Sequence, residues 1–237
     1  MEKVIHRANS RGHANHGWLK ANHSFSFASW YDPSRINFGA IRVLNDDTIA
    51  PGAGFPTHPH DNMEIITIPL SGILEHKDSM GNVAQIKTGE VQVMSAGTGV
   101  THSEYNGSQT EELKLFQIWL FPNKKDVTPR YDELKLSLED RKNKFQQILS
   151  PSPEDDGVWI HQEAWMHMIS MDPDKQSEYN LKLNSNGVYI MVVSGSVEID
   201  GELLNDRDAI GVSQVDTVVL KAINNAEVLL IEVPMEF

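Results

Sequence analysis

The 237-residue chain contains no cysteine. Disulfides, zinc–thiolate sites and thiol nucleophiles are thereby excluded. Long apolar runs are also missing, and none approaches the ~20 residues that a membrane-spanning helix requires. The opening stretch, MEKVIHRANSRGHANHG, lacks the apolar segment of a secretion signal, so a cytoplasmic location without membrane association is expected. Positive charge is scarce: 20 Lys and Arg stand against 33 Asp and Glu, giving a net charge of −13. Most of the deficit falls in the second half, with −3 over residues 1–120 and −10 over residues 121–237. A surface of this sign repels phosphate backbones, and no basic run offsets it, so direct nucleic-acid binding is not expected. A protein partner with a basic face is compatible with it. The expected state is a monomer.

Glycine-punctuated β-type runs are abundant. EIITIPLSGILEHKDS turns at Ser71-Gly72 and VAQIKTGEVQVMSAG at Thr88-Gly89, while LKLFQIWLFP reads as a buried strand. GVYIMVVSGSVEIDG, DTVVLKAI and AEVLLIEVP repeat the style near the C-terminus. Many short strands with regular turns predict an all-β sandwich or barrel. PLSGILEHKDSMGN and VVSGSVEIDGELLN share a Ser-Gly turn with a glutamate three residues after the glycine, which favours two similar β-domains in tandem. The charged, proline-bearing stretch between them is poor in β-branched residues. The reading is a first domain over 1–121, a linker over 122–157 with one short helix near Tyr131–Arg141, and a second domain over 158–237.

Chemistry concentrates in two short motifs. In GFPTHPHDNME, His58 and His60 are two residues apart and project to one face if 57–68 is a strand. His102 and Glu104 in GTGVTHSEYN have the same spacing. A lone His-x-His pair on a strand is more often a hydrogen-bonded surface pair than a ligand pair. Two such pairs in glycine-bounded strands make a shared metal site the better explanation. Three imidazoles and one carboxylate suit a five- or six-coordinate first-row metal with open positions for substrate or dioxygen. Fe(II) ranks first, with Mn, Ni, Cu, Co and Zn as alternatives, zinc lower because it favours four-coordinate sites.

Gly52…His58-x-His60-x3-Glu64 followed by Gly72, and Gly89…Ser95-Ala-Gly97-Thr-Gly-Val-Thr-His102-x3-Asn106, resemble the two motifs of the cupin superfamily. FPTHPHDNMEI, HKDSMGN, MSAGTGVTHSE, RGHANHGWLKANHSFSFASWYDP and WIHQEAW more narrowly resemble the pirin family, in particular its bacterial quercetin 2,3-dioxygenase-like members. The resemblance runs from about residue 3 to the C-terminus. It implies a bicupin of two antiparallel β-barrel (jelly-roll) domains, of which only the first holds a metal, one ion per chain. It also implies His58, His60, His102 and Glu104 as ligands. Many cupins use the glutamate of the first motif instead, here Glu64, which lies four residues, roughly 13 Å of extended strand, beyond His60. The pirin-like pattern leaves Glu64 a supporting role. Aligning Gly195 with Gly72 puts Leu181, Leu183 and Gly187 where the first repeat has His58, His60 and Glu64. The second repeat thus lacks ligands.

Two functions follow from the resemblance. One is a dioxygenase cleaving quercetin or a related flavonol with O2 and releasing carbon monoxide, in which Glu104 serves as catalytic base. The other is an iron-dependent, redox-responsive regulator that binds a protein partner. Among the remaining histidines, His13, His16 and His23 are expected to order a loop, His76 to face solvent, and His161 and His167 to pack between domains. Phe25, Phe27, Trp30, Phe38 and Phe55 could wall an aromatic pocket, Phe55 best of all because it adjoins the ligand strand.

Overall fold

A computed structural model describes residues 1–236. Its regular structure is nearly all strand, with only two short 3-10 turns among the described residues. In the first half a seven-stranded sheet runs in the spatial order Arg130–Lys135, Glu90–Ser95, Glu64–Ser71, Leu113–Leu120, Ile41–Ile49, Leu19–His23, Gly12–Asn15. A four-stranded sheet, Gly54–His60, Val100–Asn106, Ile73–Asp78, Val83–Lys87, faces it. The second half repeats the plan. Seven strands run Glu2–His6, Ala209–Ser213, Asn186–Ser194, Ala226–Pro234, Trp165–Met171, Gln146–Ser150, Val158–Trp159. Four more run Gln176–Asn180, Thr217–Ala222, Val197–Ile199, Glu202–Leu204. The fold is a bicupin. The shared Ser-Gly turns are matched in backbone too, since Gly72 (φ 87°) and Gly195 (φ 82°) both adopt the left-handed conformation that favours glycine.

Side-chain alternation decides what each seven-stranded sheet faces. On Glu64–Ser71, Ile66 and Ile68 enter a core shared with the other half, beside Met166, Met168, Tyr189, Leu229 and Ile231. Ile65 points the other way, into its own barrel with Met94 and Val100. Likewise Phe116, Ile118 and Leu120 join the shared core, whereas Leu113 and Leu115 meet Leu74 and Ile86 of the four-stranded sheet. The two large sheets thus pack back to back, apolar on both faces, and each closes its own barrel on the far side. Arg207 of the second half fastens the junction by donating to Asp46 Oδ2 at 3.0 Å, which also accepts from Arg11 at 3.1 Å.

Two stretches depart from the sequence reading. Residues 131–141 hold no α-helix: Arg130–Lys135 is a strand, followed by a 3-10 turn at Leu138–Arg141. The edge of Glu90–Ser95 offers unpaired backbone groups, and pairing with it outweighs the helix-forming side chains. Leu134 then packs on the shared core and Tyr131 stacks against His76 at 4.9 Å. At the other end of the chain, Glu2–His6 pairs with Ala209–Ser213, so the first strand is built into the second barrel's sheet. His6 lies at the seam, its Nδ1 2.8 Å from the Tyr189 hydroxyl.

Candidate metal centre

The strand Gly54–His60, which bears the candidate ligands His58 and His60, carries two prolines, Pro56 and Pro59, which a central strand would not tolerate. It lies at the edge of its sheet, where a missing N–H leaves no ladder bond unmade. Its neighbour Val100–Asn106 sets His102 opposite His58, and a bulge between His102 and Glu104 brings Glu104 opposite Phe55. The rings of His58, His60 and His102 converge, with centroids 4.5 to 4.9 Å apart. One ring nitrogen from each of the three lies within 4.8 Å of the others. His58 Nδ1 is 2.8 Å from the Pro56 carbonyl, which can only accept, so Nδ1 carries the proton and Nε2 is left with its lone pair. Both nitrogens of His102 are buried without any hydrogen-bond partner.

Electrostatics favour the neutral, metal-binding form of His60 and His102. Burial, reinforced by His58, lowers His60 to about 4. Burial and the neighbouring histidines lower His102 to about 3. Glu104 is buried and accepts from Gln117 Nε2 at 2.9 Å and Thr67 Oγ1 at 3.4 Å. Burial still dominates and raises its carboxyl to about 7. Those donors belong to a polar row across the barrel-facing side of the large sheet, where His23, Asn45, Gln117, Thr67 and Gln92 are paired strand to strand. The row holds Glu104 in place: the single hydroxyl proton of Thr67 is shared between Glu104 and Gln117 Oε1, the latter at 3.0 Å, and His23 Nδ1 contacts Asn45 Oδ1 at 2.8 Å.

Glu64 lies elsewhere. The assumption of one strand over 57–68 fails at Asp61–Met63, where Asn62 takes φ 43° and the chain passes to the other sheet. Glu64 shares its parity with Ile66 and Ile68, so it points away from the histidines and accepts from Ser95 Oγ at 2.6 Å. Burial raises it to about 7, against the pull of Ser95 and Arg130.

His76, expected at the surface, is 1% exposed. It sits opposite Glu104 in the ladder, and its Nε2 contacts Asp78 Oδ2 at 3.1 Å. His76, His102 and Glu104 form a second cluster of ligand-type atoms within 4.8 Å, sharing His102 with the first. The alternation in ILEHKD carried the signal, because Glu75 and Lys77 take the exposed face and leave Leu74, His76 and Asp78 inside. His167 is a further correction. It shares parity with Ile169 and Met171, faces the interior of the second barrel, and packs on Tyr179 at 5.1 Å. Beside it Glu232 accepts from the Tyr179 hydroxyl at 2.8 Å, from Asn186 Nδ2 and from the Lys182 and Leu183 amides. His161 is half-buried against Trp159, at 4.9 Å. His13 and His16 lie away from the cluster, His13 within 3.3 Å of Asn22 Oδ1. Among the described residues, both clusters with ligand-type geometry are in the first barrel.

A cavity of about 300 Å³ opens beside His58 and His60. Leu19, Ala21, Phe27, Phe55 and Trp119 give it apolar walls, and His58, His60 and Glu104 reach its lining. Phe27 and Phe55 thus sit where a pocket needs them, whereas Phe25 and Phe38 belong to the shared core and Trp30 covers Gly12.

The pirin family model matches residues 4–120, and a quercetinase C-terminal cupin domain model matches residues 147–233. The chain belongs to the pirin family. Quercetin 2,3-dioxygenase of Escherichia coli strain K12 is 44% identical over 230 residues, covering 97% of this chain and 98% of that protein. A pirin-like protein of Caulobacter vibrioides is 40% identical over 222 residues, covering 93% and 95% of the two chains. The crystal structure of the Escherichia coli bacterial pirin YhhW in complex with nickel(II) superposes with a TM-score of 0.93 at 42% identity, covering 98% and 99%. A quercetin 2,3-dioxygenase from Acinetobacter baumannii shares the fold at a TM-score of 0.74 and 18% identity, covering 98% of this chain and 78% of that one. No helix among the described residues is long and apolar enough to cross a membrane.

Proposed function

We propose that the chain is a metal-dependent dioxygenase acting on quercetin or a related flavonol, with one divalent ion held by His58, His60, His102 and Glu104. The observation that carries this reading is His102, whose two buried ring nitrogens have no partner and which converges with His58 and His60, two residues that line an apolar cavity. A buried polar atom left without a partner costs about 1–3 kcal/mol, and a cation removes that cost here. The relatives named quercetin 2,3-dioxygenase and the nickel-bound neighbour support the choice of chemistry. Fe(II) is the metal proposed, because a flavonol dioxygenation calls for a redox-active ion.

Bound there, the metal would acidify a coordinated hydroxyl and hold substrate and dioxygen together. The remaining work belongs to the protein. Phe27, Phe55 and Trp119 give the cavity apolar, aromatic walls suited to a flat aromatic. Glu104 takes the flavonol hydroxyl proton at Oε1, the oxygen with the longer bond, while Gln117 holds Oε2. Oε1, with the weaker of the two contacts, is the freer oxygen to receive and return that proton. His58 is kept in the tautomer that presents Nε2 to the metal by the Pro56 carbonyl. Both oxygen atoms of O2 enter the cleaved product, and one ring carbon leaves as carbon monoxide.

The test is turnover. Iron-loaded protein with excess quercetin in aerated buffer is expected to consume O2 and release carbon monoxide over many cycles per chain. Binding of quercetin without turnover would favour the regulatory reading, and no binding would overturn the flavonol assignment.

A further inference from the structure

Asp47 is 4% exposed and lines the same cavity as the histidines. It projects from Ile41–Ile49 to the barrel face, one ladder step beyond the polar row, where its paired neighbours are Ala21 and Leu115. No side chain or backbone amide donates to its carboxyl among the described residues, and Oδ1 is buried with no partner at all. The adjacent Asp46 is satisfied twice over, by Arg11 and Arg207 on the opposite face of the sheet. The two acids thus divide by parity: Asp46 clamps the halves together, and Asp47 is left unbonded in an apolar wall. Burying a carboxyl without a donor is costly, and natural structures keep few such groups. A hydrogen-bonding ligand in the cavity would satisfy it. Asn45, two residues earlier, faces the same space with its Oδ1 already engaged by His23, leaving its amide nitrogen free.

We infer that Asp47, assisted by Asn45, is the specificity-determining group that receives a phenolic hydroxyl at the end of the substrate remote from the metal. This inference rests on the flavonol-type reading of the cavity and deepens it: the preferred substrate is an aromatic with one hydroxyl for the metal and a second for Asp47. Burial, aided by Asp46 and Glu104, raises the Asp47 carboxyl to about 8. Burial favours the protonated carboxyl, which can both donate to and accept from a hydroxyl. Leu19, Phe27 and Phe55 line the same cavity as Asp47 and the histidines and supply apolar surface for a ring system.

The experiment measures binding to metal-loaded, full-length protein under argon, so that turnover does not intervene. Quercetin is compared with 3-hydroxyflavone, which keeps the enolisable hydroxyl and lacks the remote ones, and with resorcinol as a minimal diphenol. Wild type is expected to prefer quercetin to 3-hydroxyflavone by about tenfold, the effect of one well-made hydrogen bond to a buried group. Asp47→Leu, which keeps the branching and removes both oxygens, should narrow that ratio to within about twofold. Asp47→Asn, which can donate and accept, should restore most of it. Asp47→Val replaces Asp47→Leu should the latter fail to fold. An unchanged ratio in the folded apolar variant overturns the inference while leaving the flavonol assignment standing. Binding of resorcinol but not of either flavonol, lost in Asp47→Leu, overturns the flavonol assignment and supports the role of Asp47. No binding of any of the three by wild type overturns both.

Discussion

Replacing Glu64 by Gln tests whether the first-motif glutamate is a ligand or a buried acid facing the other half of the molecule. Its carboxyl is 1% exposed, accepts from Ser95 Oγ, and is raised from 4.5 to about 7, chiefly by burial. The sign follows from proton linkage. Between pH 4.5 and 7 the folded chain keeps a proton that the unfolded chain has lost, so folding stability falls as pH rises through that window. At about 1.36 kcal/mol per pKa unit, the loss above pH 7 amounts to about 3 kcal/mol. Glutamine accepts the same Ser95 bond and does not titrate. Glu64→Gln should therefore match wild type near pH 4.5 and exceed it by about 3 kcal/mol at pH 8. For a chain of this size that is a rise of roughly 6–12 °C in Tm. Thermal melts of metal-free wild type and variant across pH 4.5–8 measure the difference, in which every other titrating group cancels. Metal content, determined on the same preparations, should stay unchanged. A variant advantage that does not grow with pH refutes the burial argument. Loss of the metal in Glu64→Gln refutes the ligand assignment.

Elemental analysis of protein purified without added metal should find close to one divalent ion per chain; a value near two would sink the single-site reading. His58→Ala and His102→Ala should each lower metal occupancy at least about tenfold, together with quercetin turnover. Their far-UV circular dichroism should persist, because both barrels have cores independent of the ion, and global unfolding would show the metal to be structural instead. Glu104→Gln should weaken metal binding and remove most carbon monoxide release, since a charged ligand and the proton acceptor vanish together. Retention of both would exclude Glu104 from the centre.

The all-β character, the turn glycines and the face shared by His58 and His60 were legible in the sequence because they depend on local rules: period-two alternation and left-handed turns. Other features were set by pairing partners far along the chain. Arg130–Lys135 contains good helix formers, and only the open edge of Glu90–Ser95 makes it a strand. The break at Asn62 has weak local marking, so Glu64 reads as a continuation of the ligand strand although it starts a strand in another sheet. His76 was misplaced for a different reason. Its neighbours Glu75 and Lys77 make ILEHKD look solvated as a whole, whereas alternation puts every second residue inside. The polar row behind Glu104 was not visible either, since Thr67, Gln92 and Gln117 are each isolated polar residues in apolar runs, and Asn45 opens the polar stretch 45–48, until five strands are aligned.

The pairing of Glu2–His6 with Ala209–Ser213 also constrains how the molecule is made. A ribosome adding roughly 5–20 residues per second needs on the order of ten to forty seconds between these two segments. Throughout that interval the earliest-synthesised segment has no ladder partner, and His6 lacks the Tyr189 hydroxyl that meets it in the finished seam. Arg130–Lys135 acts in the reverse sense, completing the first barrel's sheet after residues 1–121 have emerged. Each half is therefore finished by chain that a cut near residue 121 would assign to the other. A gene split at that point would yield two fragments with exposed sheet edges, prone to stick to one another or to themselves. The candidate ligands all lie in one barrel, yet the large sheet of that barrel is completed only when Arg130–Lys135 joins its edge.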